Sequence, residues 1–302
     1  MPIPSAPASQ YNATVITHFG NEILIQTRDG ERLRAIPRQH LPALATGDHI
    51  HYETGDSGHA IIDHVAARHG ILSRASKNQE KLVAVNIDRV LIVCAAKPTL
   101  KTGLIDRYLV ACELAGLAAS IIFNKLDLLN ASQVENIKSE LSVYTAIGYP
   151  VLYVSAKSGA GISHLLQLLA ANTSVLVGHS AVGKSSLIKA LIPSATPRIG
   201  KISHATNKGR HTTTHTELYQ LANKGIIIDS PGIREFGLKA MEPQQLAQGF
   251  REFVPFISHC RFRDCTHTTE PGCGITQALL DGKISRARFE SYQAILASFN
   301  HP

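Results

Sequence analysis

No stretch of this 302-residue chain is long enough to cross a membrane as a helix. The longest strongly apolar run, Val90 to Ala96, falls far short of the ~20 residues such a span needs. The first ten residues, MPIPSAPASQ, offer neither a basic start nor an apolar stretch, so no signal peptide is expected and the expected location is the cytoplasm. Charged residues are sparse at 18% against 44% hydrophobic, which excludes a disordered chain. Internal repeats are lacking. Acids are outnumbered, 23 against 30 Lys and Arg, for a net charge of +7; that excess leans weakly toward polyanionic partners. Cysteine is rare too, five in all, yet Cys260, Cys265 and Cys273 fall within 14 residues. Without an export signal, such clustering points to a metal before it points to disulfides. Cys94 and Cys112 lie in apolar surroundings and read as core.

Residues 1–10 read as a flexible tail. From Tyr11 the runs ATVITHF, EILIQT, RLRAI, HIHYE and AIIDHV are short and strand-like, separated by turn signals such as Asp29-Gly30. Five strands in this length suit an OB-type β-barrel over 11–70, with other small barrels as the alternative. Arg28, Arg32, Arg34 and Arg38 are interleaved with the second and third strands. Residues 69–82 are polar and basic and read as a linker. Strands then alternate with helices, which predicts a parallel α/β domain over 71–240. A helical domain follows over 241–302.

Three elements fall at strand ends. Gly178, His179, Ser180, Ala181, Val182, Gly183, Lys184 and Ser185, followed by Ser186, match the phosphate-binding loop G-x-x-x-x-G-K-[ST]. Its backbone N–H groups are suited to phosphate oxygens at a helix N-terminus. Lys184 would reach the β- and γ-phosphates in a catalytic role, and Ser185 would ligate Mg²⁺. Asn124-Lys125-Leu126-Asp127 ends the strand IIFNKLD and fits a guanine-reading loop. Asp127 can accept from guanine N1–H and the 2-amino group, whereas adenine offers an acceptor at N1 and no 2-amino group. Asn124 would serve the N7/O6 edge or fix the loop, and the Lys125 stem would lie along the base. Ser155-Ala156-Lys157 matches the companion loop whose alanine N–H reaches O6. Asp229 to Gly232 fits D-x-x-G, with Asp229 toward Mg²⁺ and the Gly232 N–H toward the γ-phosphate. Thr213 and Thr214 are both open as a further Mg²⁺ ligand. Pro193 to His211 contains no acid and reads as a phosphate-facing switch. The residue after D-x-x-G is Ile233, which cannot orient water; His211 is the candidate for that task.

In Ras-like GTPases the phosphate loop precedes N-K-x-D; here it follows, as a circular permutation produces. With GHSAVGKSSL, GRHTTT and DSPGIREFG, this order resembles the ribosome small-subunit-dependent GTPase A family of bacteria. The resemblance implies an OB barrel, a permuted GTPase domain and a zinc domain in that order. It also implies GTP hydrolysis to GDP stimulated by the small ribosomal subunit late in its maturation, with that subunit and its rRNA as partners. A monomer is expected.

Cys260, Cys265, His267 and Cys273 supply three thiolates and one imidazole, a set suited to one structural Zn²⁺. The resemblance places zinc there independently. Two other readings stay open at this point: a non-catalytic RNA-binding assembly factor, and an ATPase with an accidental NKLD.

Overall fold

The computed structural model describes residues 11–19, 22–55, 59–76, 79–192, 217–229, 238 and 240–299. The tail, His211, Thr213, Thr214, Gly232 and Ile233 lie outside them. The chain forms two compact units, one of Met1–Arg89, Ile162–Leu176 and Lys184–Glu235, the other of Val90–Gly161, Val177–Gly183 and Phe236–Pro302.

In the first unit β1 (Ala13–Phe19), β2 (Glu22–Thr27), β3 (Arg32–Pro37), β4 (His49–Thr54) and β5 (Ala60–Val65) close into a barrel in the order β1-β2-β3-β5-β4. Alternation decides which side chains enter it: Val15, Ile23, Ile25, Ala35, Ile50 and Ile62 fill the interior. Arg28, Arg32, Arg34 and Arg38 are exposed. The expected linker is instead an antiparallel hairpin of β6 (Leu72–Ser76) and β7 (Gln79–Ala84). Its polar residues hid the strand pattern; Leu72, Val83 and Ala84 are buried anchors among the described side chains. Asn86, with φ +58°, then donates to Gly47 O at 2.8 Å and accepts from His69 N at 3.0 Å, fastening the hairpin to the barrel.

The second unit continues with β8 (Arg89–Ala95), α1 (Thr102–Leu114), β9 (Ala118–Asn124), α2 (Ala131–Ala146) and β10 (Val151–Tyr153). Its strands lie in the order β10-β9-β8, and β10 runs parallel to β9. Asn130 starts α2 through a capping box: its side chain accepts from Gln133 N, while Gln133 Oε1 accepts from Asn130 N.

The first unit resumes with α3 (Ile162–Leu169), β11 (Thr173–Val177), α4 (Lys184–Leu191), β12 (Glu217–Gln220) and β13 (Ile226–Asp229). Here β11 and β13 are parallel but β12 is antiparallel to β13, so the expected all-parallel arrangement is corrected to a mixed one. The reason is the connection. The short turn 221–225 joins β12 to β13 as a hairpin, and a parallel crossover needs a dozen or more residues.

The second unit ends with α5 (Pro243–Gln248), α6 (Val254–Ile257), α7 (Gly274–Leu280) and α8 (Arg286–Ala297). Phe250, Phe253, Phe289 and Tyr292 pack the centre of this helical region. Arg288 lies beneath them, 1% exposed. Its guanidinium bonds Asp106 on α1 and Glu252 Oε1, the latter at 2.6 Å. Tyr144 Oη of α2 donates to the same Asp106 carboxylate at 2.8 Å, and Arg288 sits 4.6 Å over the Phe250 ring. Two carboxylates satisfy one buried cation, and the Tyr144 phenol donates to one of them.

Arg288→Met should therefore strand two buried acids and cost about 3–5 kcal/mol in denaturant unfolding. A loss below about 1 kcal/mol would show that the network contributes little.

Candidate functional site

Asn124 ends β9 with its side chain buried. Its Nδ2 donates to Val182 O at 3.0 Å, and its Oδ1 accepts from Ala156 N at 3.1 Å. One carboxamide thus joins the N-K-L-D, phosphate-binding and S-A-K loops. Lys125 follows at φ +67°, a turn that sends its Nζ to Lys97 O at 2.9 Å and Ala181 O at 2.6 Å. Leu126 opens a single 3₁₀ turn, Leu126–Leu128, and Asp127 stands exposed upon it. Ser155, fully buried, donates to Asp127 Oδ1 at 2.6 Å and accepts from Ser158 N at 3.1 Å. Lys157 is exposed.

The phosphate-type loop fits only around glycine at two points. A Cβ on Gly178 (φ +138°) would lie 2.2 Å from Val93 O, and one on Gly183 (φ +97°) would lie 2.4 Å from Asn124 Nδ2. Between them His179, Ser180 and Ala181 are exposed and Val182 is buried as the anchor. His179 Nδ1 is 2.9 Å from Ser180 O, so the imidazole turns into its own loop. Lys184 begins α4, with Ser185 and Ser186 exposed in the first turn. Asp229 closes β13, half-buried.

The structure gives several members of this cluster loop-holding bonds. Asn124 fixes loops with both ends of its amide. The Lys125 ammonium holds backbone carbonyls, and the Ala156 N–H donates to Asn124 Oδ1. Ser155 works as the bracket that orients Asp127. Backbone carbonyls and amides are the partners in most of these bonds, and residue identity alone does not announce such contacts.

In the C-terminal region the ligand atoms of Cys260, Cys265, His267 and Cys273 all lie within 4.8 Å of one another. His267 Nδ1 is 3.5 Å from Cys260 Sγ and 3.6 Å from Cys273 Sγ, and those sulfurs are 4.0 Å apart. Gly274 N donates to Cys260 Sγ, and Thr276 N to Cys273 Sγ. Burial pushes the Cys265 thiol up to about 12. Burial also acts to raise Cys273, but hydrogen bonds from Thr276, Cys265 and Ile275 together bring that thiol down. Burial lowers His267, keeping the imidazole neutral. Neutral imidazole and thiols that need a cation to ionise together are compatible with zinc.

Glu270, unremarked in the sequence, organises this loop. Its carboxylate accepts from Thr266 N and Oγ1 at 2.6 and 2.5 Å, and from Thr268 N and Thr269 N at 3.0 and 3.1 Å. Burial alone would raise its pKa, but these donors hold it down at about 2.

With the geometry in place, the comparisons agree on one family. A family model described as RsgA GTPase matches residues 65–239. The small ribosomal subunit biogenesis GTPase RsgA of Pseudomonas aeruginosa is 45% identical over 285 residues, covering 94% of this chain and 84% of that protein. The Azotobacter vinelandii protein of the same name is 43% identical over 298 residues, 97% of this chain and 87% of its own. The chain belongs to the RsgA GTPase family. YjeQ from Thermotoga maritima matches with a TM-score of 0.79 at 29% identity, over 97% of this chain and 99% of YjeQ. YloQ, described as a circularly permuted GTPase, shares the fold at a TM-score of 0.76 and 23% identity, over 96% and 95% of the two chains. Membership in the RsgA GTPase family decides against the ATPase and the non-catalytic RNA binder.

Glu270→Ala should leave the Thr266 and Thr268 donors without an acceptor and lower stability by about 1–3 kcal/mol. Thermal unfolding measures it, and an unchanged midpoint would show that the loop holds without Glu270.

Proposed function

We propose that this chain binds Mg²⁺–GTP and hydrolyses it to GDP and phosphate during late maturation of the small ribosomal subunit, with the subunit stimulating turnover. The observation that carries this reading is the Asn124 carboxamide, which joins a phosphate-binding loop to two guanine-type loops. Gly178 to Gly183 wrap the phosphates with their N–H groups, and Lys184 sits at the β- and γ-phosphates. Asp127, steadied by Ser155, accepts from guanine N1–H and the 2-amino group. The Ala156 N–H, shared with Asn124, serves O6. Ser185, Asp229 and either Thr213 or Thr214 would hold Mg²⁺, an all-oxygen set that suits this hard ion. When bound, Mg²⁺ neutralises charge on the phosphate oxygens. Gly232, in D-x-x-G, is assigned to the γ-phosphate by its place in that motif.

The same reading assigns an OB-type barrel to 11–70, a circularly permuted GTPase domain to 71–240 and a zinc domain to 241–302, in a monomeric cytoplasmic protein. Exposed Arg28, Arg32 and Arg34 on the barrel, and Arg261 and Arg263 beside the cysteines, are suited to rRNA phosphates. One Zn²⁺ on Cys260, Cys265, His267 and Cys273 is structural, since four protein ligands close a tetrahedral site.

Asp127→Asn should weaken GTP binding about 10–100-fold and confer xanthosine triphosphate binding, because an amide can donate to the xanthine C2 carbonyl. GTP affinity equal to wild type would remove Asp127 from the base site.

Purified protein should carry one tightly held Zn²⁺. Chelation should loosen the C-terminal helices while GTP binding persists; elemental analysis finding no stoichiometric zinc rejects the metal assignment.

His211→Ala, assayed with saturating small subunits, should cut turnover more than about tenfold with GTP and subunit binding preserved. Turnover within about threefold of wild type, less than ~0.7 kcal/mol of barrier, would sink the role of His211 in positioning water.

A further inference from the structure

The barrel carries a second cluster of metal-type side chains that the GTPase reading leaves unused. His51 lies on β4, and Asp63 and His64 are consecutive on β5. His51 and His64 are cross-strand partners, and the ladder changes register between His51 and Tyr52. Such a bulge re-aims the side chains beside it. The result here is convergence: His51 Nδ1 lies 2.8 Å from Asp63 Oδ1, His64 Nδ1 lies 3.4 Å from the same oxygen, and one ligand atom from each residue lies within 4.8 Å of the others. The two imidazole rings meet nearly edge-on, with centroids 6.3 Å apart at 79°.

Burial separates this arrangement from an ordinary surface ion pair. The Asp63 side chain is only 8% exposed, whereas that of His64 is 71% exposed. A carboxylate in the barrel wall is costly unless cations or donors surround it, and here two imidazoles face one of its oxygens. The chemistry of the three donors narrows the ion. Two nitrogens of intermediate softness and one carboxylate oxygen suit Zn²⁺, Co²⁺ or Ni²⁺, while Mg²⁺ and Ca²⁺ prefer oxygen throughout. With metal–ligand bonds of ~2.0–2.1 Å, neighbouring donors in a tetrahedron stand roughly 3.3 Å apart. The His64–Asp63 pair already has that spacing, and the His51–Asp63 pair needs to open by only about 0.5 Å. Three protein ligands leave a tetrahedral ion one position short of closure. The exposure of His64 places that position at solvent.

We propose that His51, Asp63 and His64 form a divalent transition-metal site on the barrel, independent of the cysteine cluster, with one coordination position open to water or an anionic oxygen.

The test uses the full-length, tag-free chain, first saturated with Zn²⁺ and desalted so that the cysteine cluster is filled. Calorimetric titration with Ni²⁺ at pH 7.5 should reveal one further equivalent. His64→Ala and His51→Ala should each weaken that equivalent at least tenfold, while His164→Ala, at an exposed histidine on α3, should leave it intact. Because His64 is exposed, its variant should keep the wild-type circular dichroism spectrum and melting profile. Co²⁺ supplies a second readout: a nitrogen–oxygen site gives weak d–d bands without thiolate charge-transfer absorption. Three results would overturn the proposal. They are the absence of a saturable second equivalent, a His64→Ala titration matching wild type, and thiolate bands accompanying the added Co²⁺. The first two would mean that the imidazoles only hydrogen-bond the carboxylate, and the third would place the added ion on the cysteines. All three leave the GTPase reading untouched, because none of these residues belongs to the nucleotide cluster.

Discussion

The nucleotide cluster depends on a single carboxamide. Asn124 is bonded to a residue 58 positions away through its nitrogen and to one 32 positions away through its oxygen. An amide is the side chain that can donate at one end and accept at the other without carrying charge. A carboxylate in its place would face the Val182 carbonyl with like polarity, and an alanine would leave a buried carbonyl and a buried N–H without partners. Gly183 completes the constraint, because the close approach of the amide nitrogen leaves no room for a Cβ. Loop and amide define each other. Permuting the order of the motifs along the chain changes nothing in this triangle, since it is assembled from strand ends and not from sequence neighbours.

Much of the architecture was legible because it follows from period. Alternation marked the barrel strands, and the switch to apolar runs followed by helical spacing marked the α/β region. Legibility failed where burial is one-sided and thin. The hairpin at β6 and β7 has few apolar anchors in a polar stretch, so no period stands out. The antiparallel β12 was missed for a different reason: a strand's direction is set by its connection, and the TELYQL pattern is the same either way. At the site, the glycines, Asp127 and the cysteine–histidine set stood out in the sequence because each belongs to a recognisable spacing. Ser155 as a bracket, the Lys125 grip on carbonyls and the Glu270 clasp were not: Lys125 and Glu270 bond largely to backbone atoms, and Ser155 meets Asp127 across 28 positions. Asp106 did leave a trace, as an acid within the apolar run of α1, but nothing in that run points to Arg288.

The two clusters of the second unit use opposite electrostatic solutions. Around Arg288 the partners all come from the chain: one guanidinium bonds two acids, and the Tyr144 hydroxyl donates to one of them. Around Cys273 the environment is uneven, with burial raising Cys265 and lowering His267 while hydrogen bonds bring Cys273 down. The first cluster ties α8 to α1 by covalently owned charges alone. The second is a Cys3His set compatible with zinc, with the Glu270 clasp shaping the loop between its members.

The buried pairing of Arg288 with Asp106 also imposes a schedule on biosynthesis. The two residues are 182 positions apart, and at about 5–20 residues per second roughly 10–40 s elapse between their additions to the nascent chain. Throughout that interval α1 can be synthesised and even helical, but its acid has no arginine to meet and must stay hydrated. The apolar side chains that flank Asp106 therefore cannot be sealed early, and the second unit is obliged to finish its core after translation has passed α8.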